Sequence, residues 1–341
     1  MEQEGSDVTV HGIGASVSSE NRLFCRESGS TMRFLIPIAA LSERPITLCG
    51  APQLMRRPMK LYEDLFREKG LTFLHREDAV TVAGPLRAGD FYLPGDVSSQ
   101  FISGLLFMLP LLAGDSRIHI TTALESRSYI ALTLAALRQF GVLAVWEDER
   151  TLAVRGGQRY QSREVSVEGD CSGAAFLEAL NHLGGSVTVN GIADDTQQGD
   201  RVFYEHFAAL DAGTPTISLA DCPDLGPILF ALAAAKNGAT FTEVQRLRIK
   251  ESDRIATMLE ELAKLGVTAE TDEHTVTIHA SVLHAPTQPL QGHGDHRVVM
   301  SLAILLTTLG GSIDGAEAVA KSYPDFFDAI ASLGIHVTTQ A

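Results

Sequence analysis

The sequence predicts an α/β protein assembled from successive copies of one structural unit, and three observations carry that prediction. Residues 95–101 read GDVSSQF and residues 169–176 read GDCSGAAF, two related polar turns that each lead into an apolar run. The segments after such turns recur in one order: an apolar helix, a Gly-led strand with alternating residues, a loop, an amphipathic helix and a short hairpin. A glycine follows the second helix of each copy, at Gly70, Gly141, Gly213, Gly266 and Gly334, where a left-handed C-cap suits it.

Taken in order, the first copy starts near Gly29 with GSTMRFLIPIAAL as helix, RPITLCG as strand, RRPMKLYEDLFREKG as helix and LTFLHREDAVTVAG as hairpin. The second starts at Asp96, with alternating Ile118 and Ile120 in its strand and VLAVWEDERTLAVRG as its hairpin. The third starts at Asp170, with SVTVNGI as its strand on the alternation of Val187 and Val189. The fourth starts at Asp224, and Ile255, Met258, Leu259 and Leu262 mark its second helix by their 3.6-residue spacing. The fifth starts at Asp295 and reaches a single strand, IHVTT, where the fourth has a hairpin. Residues 1–28 hold SDVTVHGIG, which resembles the closing strand of an earlier unit. Two lobes of three units need six, so the expectation is that most of a first unit is missing. Residues 1–167 then form lobe one, a remnant plus two full repeats, and 168–341 form lobe two, whose last repeat lacks its closing strand. A family variant with a short start is the alternative.

The chain of 341 residues is long for one domain, and its 45% hydrophobic and 20% charged residues are those of a globular protein with a sizeable core. A net charge of −15 excludes nucleic acid or an anionic membrane surface as the main partner, but not small anions held by local arginines and lysines. Cys25, Cys49, Cys171 and Cys222 form no CxxC pair and read as reduced thiols. The opening MEQEGSD lacks a signal peptide's basic and apolar regions, and the longest apolar run, FISGLLFMLPLLAG, is too short and interrupted to span a bilayer. A cytoplasmic protein is expected.

Each polar turn stands at a helix start, where unpaired N–H groups and the helix dipole favour phosphates and carboxylates. Capping suffices for Asp170 and Ser172, but leaves the run Ser98, Ser99 and Gln100 only partly explained. In RLRIKESDRIATM, Arg248, Lys250, Glu251 and Arg254 crowd the start of a helix, where cations oppose the dipole at a cost of a few tenths of a kcal/mol each. That placement favours anion binding over a merely solvated face. In GHGDHRVVM, the spacing of His293, Asp295 and His296 matches no familiar zinc pattern, so no metal is expected, and Arg297 continues the anion theme. Arg33, Arg56, Arg57 and Lys321 lie in equivalent loops of their own units.

Together VSSQF at 97–101, KESDR at 250–254, GDHR at 294–297 and AKSYPDFF at 320–327 resemble the enolpyruvyl transferase family, and within it the branch that acts on shikimate 3-phosphate. The match runs from about residue 20 to the end. The resemblance implies a two-lobed inside-out α/β barrel of βαβαββ repeats, closing on substrates between the lobes. It implies transfer of the enolpyruvyl group of phosphoenolpyruvate to the 5-hydroxyl of shikimate 3-phosphate with release of phosphate, no cofactor, and a monomer in the intact family form. Matched by position, Ser98, Ser99, Gln100 and Ser126 would hold shikimate 3-phosphate together with Asp224 and Lys250, and Tyr129 would serve for packing. Gly29, Arg57, Gln100, Arg254, Arg297 and Lys321 would hold phosphoenolpyruvate. Asp224 would accept the 5-hydroxyl proton with Lys250 beside it, and Glu251 would act as acid or base at the methylene carbon.

Two departures qualify the match. The family's Lys-Ser pair and nearby Arg, a KSxSxxR segment, are absent from these 341 residues. A charge-assisted hydrogen bond contributes about 1.5–3 kcal/mol, so losing two weakens binding on the order of 10²–10⁴. The chain alone is therefore expected to turn over weakly or not at all. Glu27 also stands where many members carry Asn, adding a carboxylate beside the Gly29 loop. The alternatives are the sister family acting on UDP-N-acetylglucosamine, which usually carries a reactive Cys and differs at SSQF and KESDR, and a non-catalytic truncated gene product.

Overall fold

A computed structural model of the chain describes residues 1–12 and 21–339. It divides into two compact units, Met1–Leu124 with Thr133–Arg163, and Glu125–Leu132 with Glu164–Ala341. The division falls at 163 rather than at the expected 167, and Glu125–Leu132, expected in the first lobe, groups with the second unit.

The first unit opens with a hairpin of β1 (Glu2–Glu4) and β2 (Asp7–Thr9), turned at Gly5 with φ of 59°. Next come β3 (Arg22–Phe24), α1 (Gly29–Ala39), β4 (Ile46–Cys49), the short α2 (Pro52–Met55), α3 (Lys60–Glu68), β5 (Thr72–His75) and β6 (Ala79–Ala83). They form a sheet in the order β3-β4-β6-β5, parallel between β3 and β4 and antiparallel elsewhere. A parallel pair needs a crossover, here α1, whereas antiparallel neighbours close by a tight turn. The pattern repeats through β7 (Asp90–Leu93), α4 (Ser99–Met108), β8 (Ser116–Ile120), α5 (Arg127–Gln139), β9 (Ala144–Trp146) and β10 (Thr151–Val154), in the order β7-β8-β10-β9.

In the second unit, α6 (Cys171–His182) and α7 (Phe203–Ala212) precede β11 (Thr216–Ser218), α8 (Gly226–Ala235), β12 (Gly238–Thr242), α9 (Arg254–Ala263), β13 (Ala269–Thr271) and β14 (Thr275–His279). Their sheet runs β11-β12-β14-β13, the same topology a third time. The remainder is β15 (Leu290–Gln291), α10 (His296–Leu309), β16 (Ile313–Asp314), which pairs parallel with β15, and α11 (Phe326–Ser332). The repeat therefore begins one short strand before four of the five polar turns, at β3, β7, β11 and β15, while none is assigned before the turn at Asp170.

Two expected strands form no ladder. SVTVNGI at 186–192 and IHVTT at 335–339 carry no strand assignment, although Val187, Val189, Ile192, Ile335 and Val337 are half-buried against the second unit's core. Alternation reports which side of an extended chain is covered, while a strand also needs a neighbouring edge for its N–H and C=O groups. Gly70, Gly141, Gly266 and Gly334 take φ of 69°, 79°, 90° and 91°, as left-handed caps do, but Gly213 is extended at 169°.

In the first unit α1 and α4 cross closely at Gly104. A Cβ there would lie 2.3 Å from the Tyr62 Oη and 2.4 Å from the Arg33 carbonyl oxygen. The Tyr62 hydroxyl donates to the carbonyls of Arg33 and Phe101, both at 2.9 Å, and ties the helices together. In the second unit α8, GPILFALAAA, is apolar all round because the core surrounds it, with Phe230 edge-on to Phe241 at 4.8 Å. Among the described residues no helix is long and apolar enough to cross a membrane.

Candidate active site

In the first unit the polar turns do cap helices. Ser28 Oγ accepts from Thr31 N at 3.1 Å at the start of α1, and Ser98 Oγ accepts from Gln100 N at 3.4 Å at the start of α4. Ser99 is buried as the first residue of α4. Gly29 lies beneath the Arg57 guanidinium, since a Cβ on it would stand 2.5 Å from Arg57 Nη1. Gln100 is held by one of the expected loop cations that was not matched to a substrate. Arg33, buried, donates from Nη1 to Gln100 Oε1 at 2.8 Å and from Nη2 to the Pro58 carbonyl at 3.1 Å, while its guanidinium lies 4.8 Å from the Phe101 ring centre. This contact turns the Gln100 oxygen toward Arg33 and leaves its Nε2 amide as the donating end.

The second unit holds a dense charge cluster. Asp224 accepts from Lys250 Nζ at 3.1 Å, Arg254 Nη1 at 2.9 Å and Arg297 Nη2 at 3.2 Å. Arg297 Nη1 also donates to the Asp224 carbonyl at 3.2 Å. Arg254, 1% exposed, donates further from Nη2 to Glu251 at 2.7 Å and from Nε to Asp295 at 2.9 Å. Asp295, with no exposed surface, accepts from Ser252 Oγ at 3.1 Å and caps α10 through Arg297 N at 3.0 Å. Lys321 Nζ donates to the Gly294 carbonyl at 2.7 Å. Arg248 turns away to the Asp272 carbonyl, so the crowd of cations read from RLRIKESDR separates into three inward members and one outward.

Burial alone would disfavour the Asp224 anion, but Arg297, Lys250 and Arg254 outweigh it and hold this carboxyl well below the usual carboxylate range. Burial pulls the Lys250 ammonium below its ordinary value despite Asp224. His296, the first residue of α10, is pushed down to about 4, by burial first and the Arg297 charge second, and is a neutral imidazole at pH 7.

Beside this cluster Ser126 is fully buried in left-handed backbone, φ of 56°, with Ser126 N donating to the Ala220 carbonyl at 3.1 Å and Ser126 Oγ accepting from Arg246 at 2.5 Å. Tyr129, read as packing, donates its hydroxyl to Asp200 at 3.0 Å, and Ser172, read as a cap, donates to the same carboxylate. Asp170 alone caps α6, accepting from Gly173 N at 2.8 Å. Asp200 is buried, and its pKa is raised to about 6 by burial and then by the Asp224 charge.

The profile of a family described as EPSP synthase (3-phosphoshikimate 1-carboxyvinyltransferase) matches residues 1–330. The chain belongs to the EPSP synthase family. It is 36% identical over 360 residues to a protein of Clostridium kluyveri named 3-phosphoshikimate 1-carboxyvinyltransferase, covering 98% of this chain and 83% of that one. A protein of the same name from Clostridium acetobutylicum is 38% identical over 335 residues, covering 91% and 77%. An EPSP synthase structure from Acinetobacter baumannii shares the fold, with a TM-score of 0.76, 20% identity, and coverage of 100% of this chain and 85% of that one. The enolpyruvyl transferase NikO from Streptomyces tendae shares it at a TM-score of 0.64 and 14% identity, covering 94% and 97%.

Of the positions matched to the family, Gly29, Arg57, Ser98, Ser99 and Gln100 belong to the first unit, and Ser126, Asp224, Lys250, Glu251, Arg254, Arg297 and Lys321 to the second. Within the second, Asp224, Lys250, Glu251, Arg254 and Arg297 are drawn into one bonded network. Arg33, Arg246, Asp200 and Asp295 join these groups although none of them was matched to a substrate. Arg33 stands out as a charge inside the apolar α1 and Asp295 as the cap of α10, whereas Arg246 and Asp200 lie in short polar turns that carry no such signal. All four cysteines are free and buried, Cys49 accepting from Arg22 Nε at 3.0 Å.

Proposed function

We propose that this chain transfers the enolpyruvyl group of phosphoenolpyruvate to the 5-hydroxyl of shikimate 3-phosphate and releases phosphate. The observation that carries the reading is Asp224 under three cations, with Glu251 on the same Arg254. Adding an alcohol to an enol ether needs a base at the hydroxyl, a proton at the CH₂ carbon, and fixed positive charge around a departing phosphate. Asp224 is the base, with Lys250 beside it, and Glu251 the acid or base at the methylene carbon. Arg254, Arg297 and Lys321, with Gly29, Arg57 and Gln100, hold phosphoenolpyruvate. Ser98, Ser99, Gln100, Ser126, Asp224 and Lys250 hold shikimate 3-phosphate.

Within the cluster the cations are neutralised by the carboxylates themselves. An arriving phosphate competes for Arg297 and Arg254, and each cation that turns to substrate raises the proton affinity of Asp224 and Glu251. Substrate binding thus converts two spent ion-pair partners into proton acceptors. The enzyme is read as a cytoplasmic monomer without cofactor.

The test is coupled phosphate release from phosphoenolpyruvate and shikimate 3-phosphate, with thermal shift for binding. Shikimate 3-phosphate stabilises the protein, and Asp224→Asn lowers turnover by on the order of 10²–10⁴. Stabilisation by UDP-N-acetylglucosamine instead, or no response to either ligand, defeats the reading.

A further inference from the structure

Glu261 lies two helical turns beyond Arg254 on α9, on the same face, and its carboxylate has no exposed surface. None of the groups assigned above uses it. Its Oε1 accepts from Lys264 Nζ at 2.8 Å and from His293 Nε2 at 2.8 Å, and its Oε2 accepts from Lys264 Nζ and the Gln291 backbone N–H, both at 2.9 Å. Burial disfavours this anion, yet Lys264, the Gln291 N–H and His293 together keep it ionised. Glu260, Glu261 and His293 are close enough to converge on a metal ion, but the Lys264 ammonium already supplies the positive charge there.

The loop these bonds reach is the one before α10. Its start is clamped by Gly292 N donating to the Asp314 carbonyl at 2.8 Å, and its end by Asp295 N donating to the Gly292 carbonyl at 2.9 Å. Between them His293 and Gly294 are both left-handed, φ of 51° and 63°. Glycine adopts that region freely, whereas a residue with a Cβ resists it and needs an outside hold. The Glu261 carboxylate is that hold. The two consecutive left-handed residues set the direction of the Gly294 carbonyl, which accepts from Lys321 Nζ.

We propose that Glu261, acting through His293, is a positioning residue that fixes the 291–295 loop and thereby places Lys321 at the phosphoenolpyruvate end of the site. The claim rests on the enolpyruvyl-transfer reading for its substrate, but not for its geometry. One rigid helix sets the loop from both ends, Arg254 at Asp295 and Glu261 at Gln291 and His293.

Two measurements on the full chain test it. In steady-state kinetics Glu261→Gln raises KM for phosphoenolpyruvate about tenfold, the worth of one charge-assisted contact, with KM for shikimate 3-phosphate within about twofold. His293→Val, whose branched Cβ opposes the left-handed backbone, does the same, while His293→Asn, which tolerates it and still donates an N–H, restores the KM. Independently of turnover, amine acylation mapped by mass spectrometry shows Lys321 labelled several-fold faster in Glu261→Gln and His293→Val, with exposed Lys60 as the internal reference. Unchanged Lys321 labelling overturns the proposal even where Glu261→Gln folds poorly, because His293→Val reads the same contact. Both KM values rising together also overturns it. Altered Lys321 labelling in a protein that binds neither substrate keeps the positioning role and rejects the substrate reading.

Discussion

Asp295 joins three functions in one buried carboxylate: it pairs with Arg254, accepts from Ser252 and caps α10. Replacing it by Asn keeps the shape and the cap, since Asn and Asp cap about equally, and removes only the charge. Removing one partner of a buried pair costs about 3–5 kcal/mol. Arg254 retains Asp224 at 2.9 Å and Glu251 at 2.7 Å, so the loss falls at the low end, about 3 kcal/mol. Asp295→Ala loses the cap as well, adding about 1 kcal/mol. Urea denaturation followed by circular dichroism at pH 7 measures both, and the loss falls on the transition of the second unit, which contains Asp295 and all these partners. The sign of the pH dependence follows from the carboxyl itself. Burial opposes its ionisation, but the Arg254 charge and hydrogen bond hold it far below the ordinary carboxylate range. Its contribution is therefore fully present above the unfolded value, near ~3.9, and is lost as pH falls toward the folded one. Wild type loses stability more steeply than Asp295→Asn from pH 4 downward, and the two converge. Equal stability at pH 7, or parallel acid limbs, would refute the reasoning.

Gly104→Ala drives a methyl group to 2.3 Å from the Tyr62 Oη and 2.4 Å from the Arg33 carbonyl oxygen, and backbone cannot yield as a side-chain tip can, so thermal denaturation shows a loss of about 1–3 kcal/mol. Gly29→Ala meets only the end of Arg57, a flexible side chain, so the melting temperature stays near wild type while KM for phosphoenolpyruvate rises. Asp200, raised from 3.8 to about 6, disfavours the folded state once it ionises. Stability linked to it is greatest below the unfolded value and falls as pH rises through about 6, so Asp200→Asn stabilises the protein at pH 8, by on the order of 2–3 kcal/mol, and brings no gain at pH 4. A gain of equal size at both pH values would show that ionisation is not the cause.

Period and punctuation made much of the fold legible. Ile118 and Ile120 are buried on one side of β8, and Ile255, Met258 and Leu262 lie on the buried face of α9, because hydrophobic spacing is dictated by local geometry. The same signal misled at Val187 and Val189, where burial is present and the ladder is not. The short strands β3, β7, β11 and β15 were unreadable, since two to four residues carry no usable period and exist through their partners. In the site, KESDR and GDHR identified cations and carboxylates, but not which would pair. Arg248 and Arg254 are six residues apart in one motif, yet one faces the Asp272 carbonyl and the other three carboxylates.

By itself the sequence determined the repeat, the helix starts and the residue types that gather charge, because these depend on contacts within a few residues of chain. Only the tertiary structure decided that Arg33 would hold Gln100, that Tyr129 and Ser172 would converge on Asp200, and that Glu261 would reach His293. Each of those contacts joins residues far apart in the chain, and its energy depends on burial that no local stretch of sequence can specify.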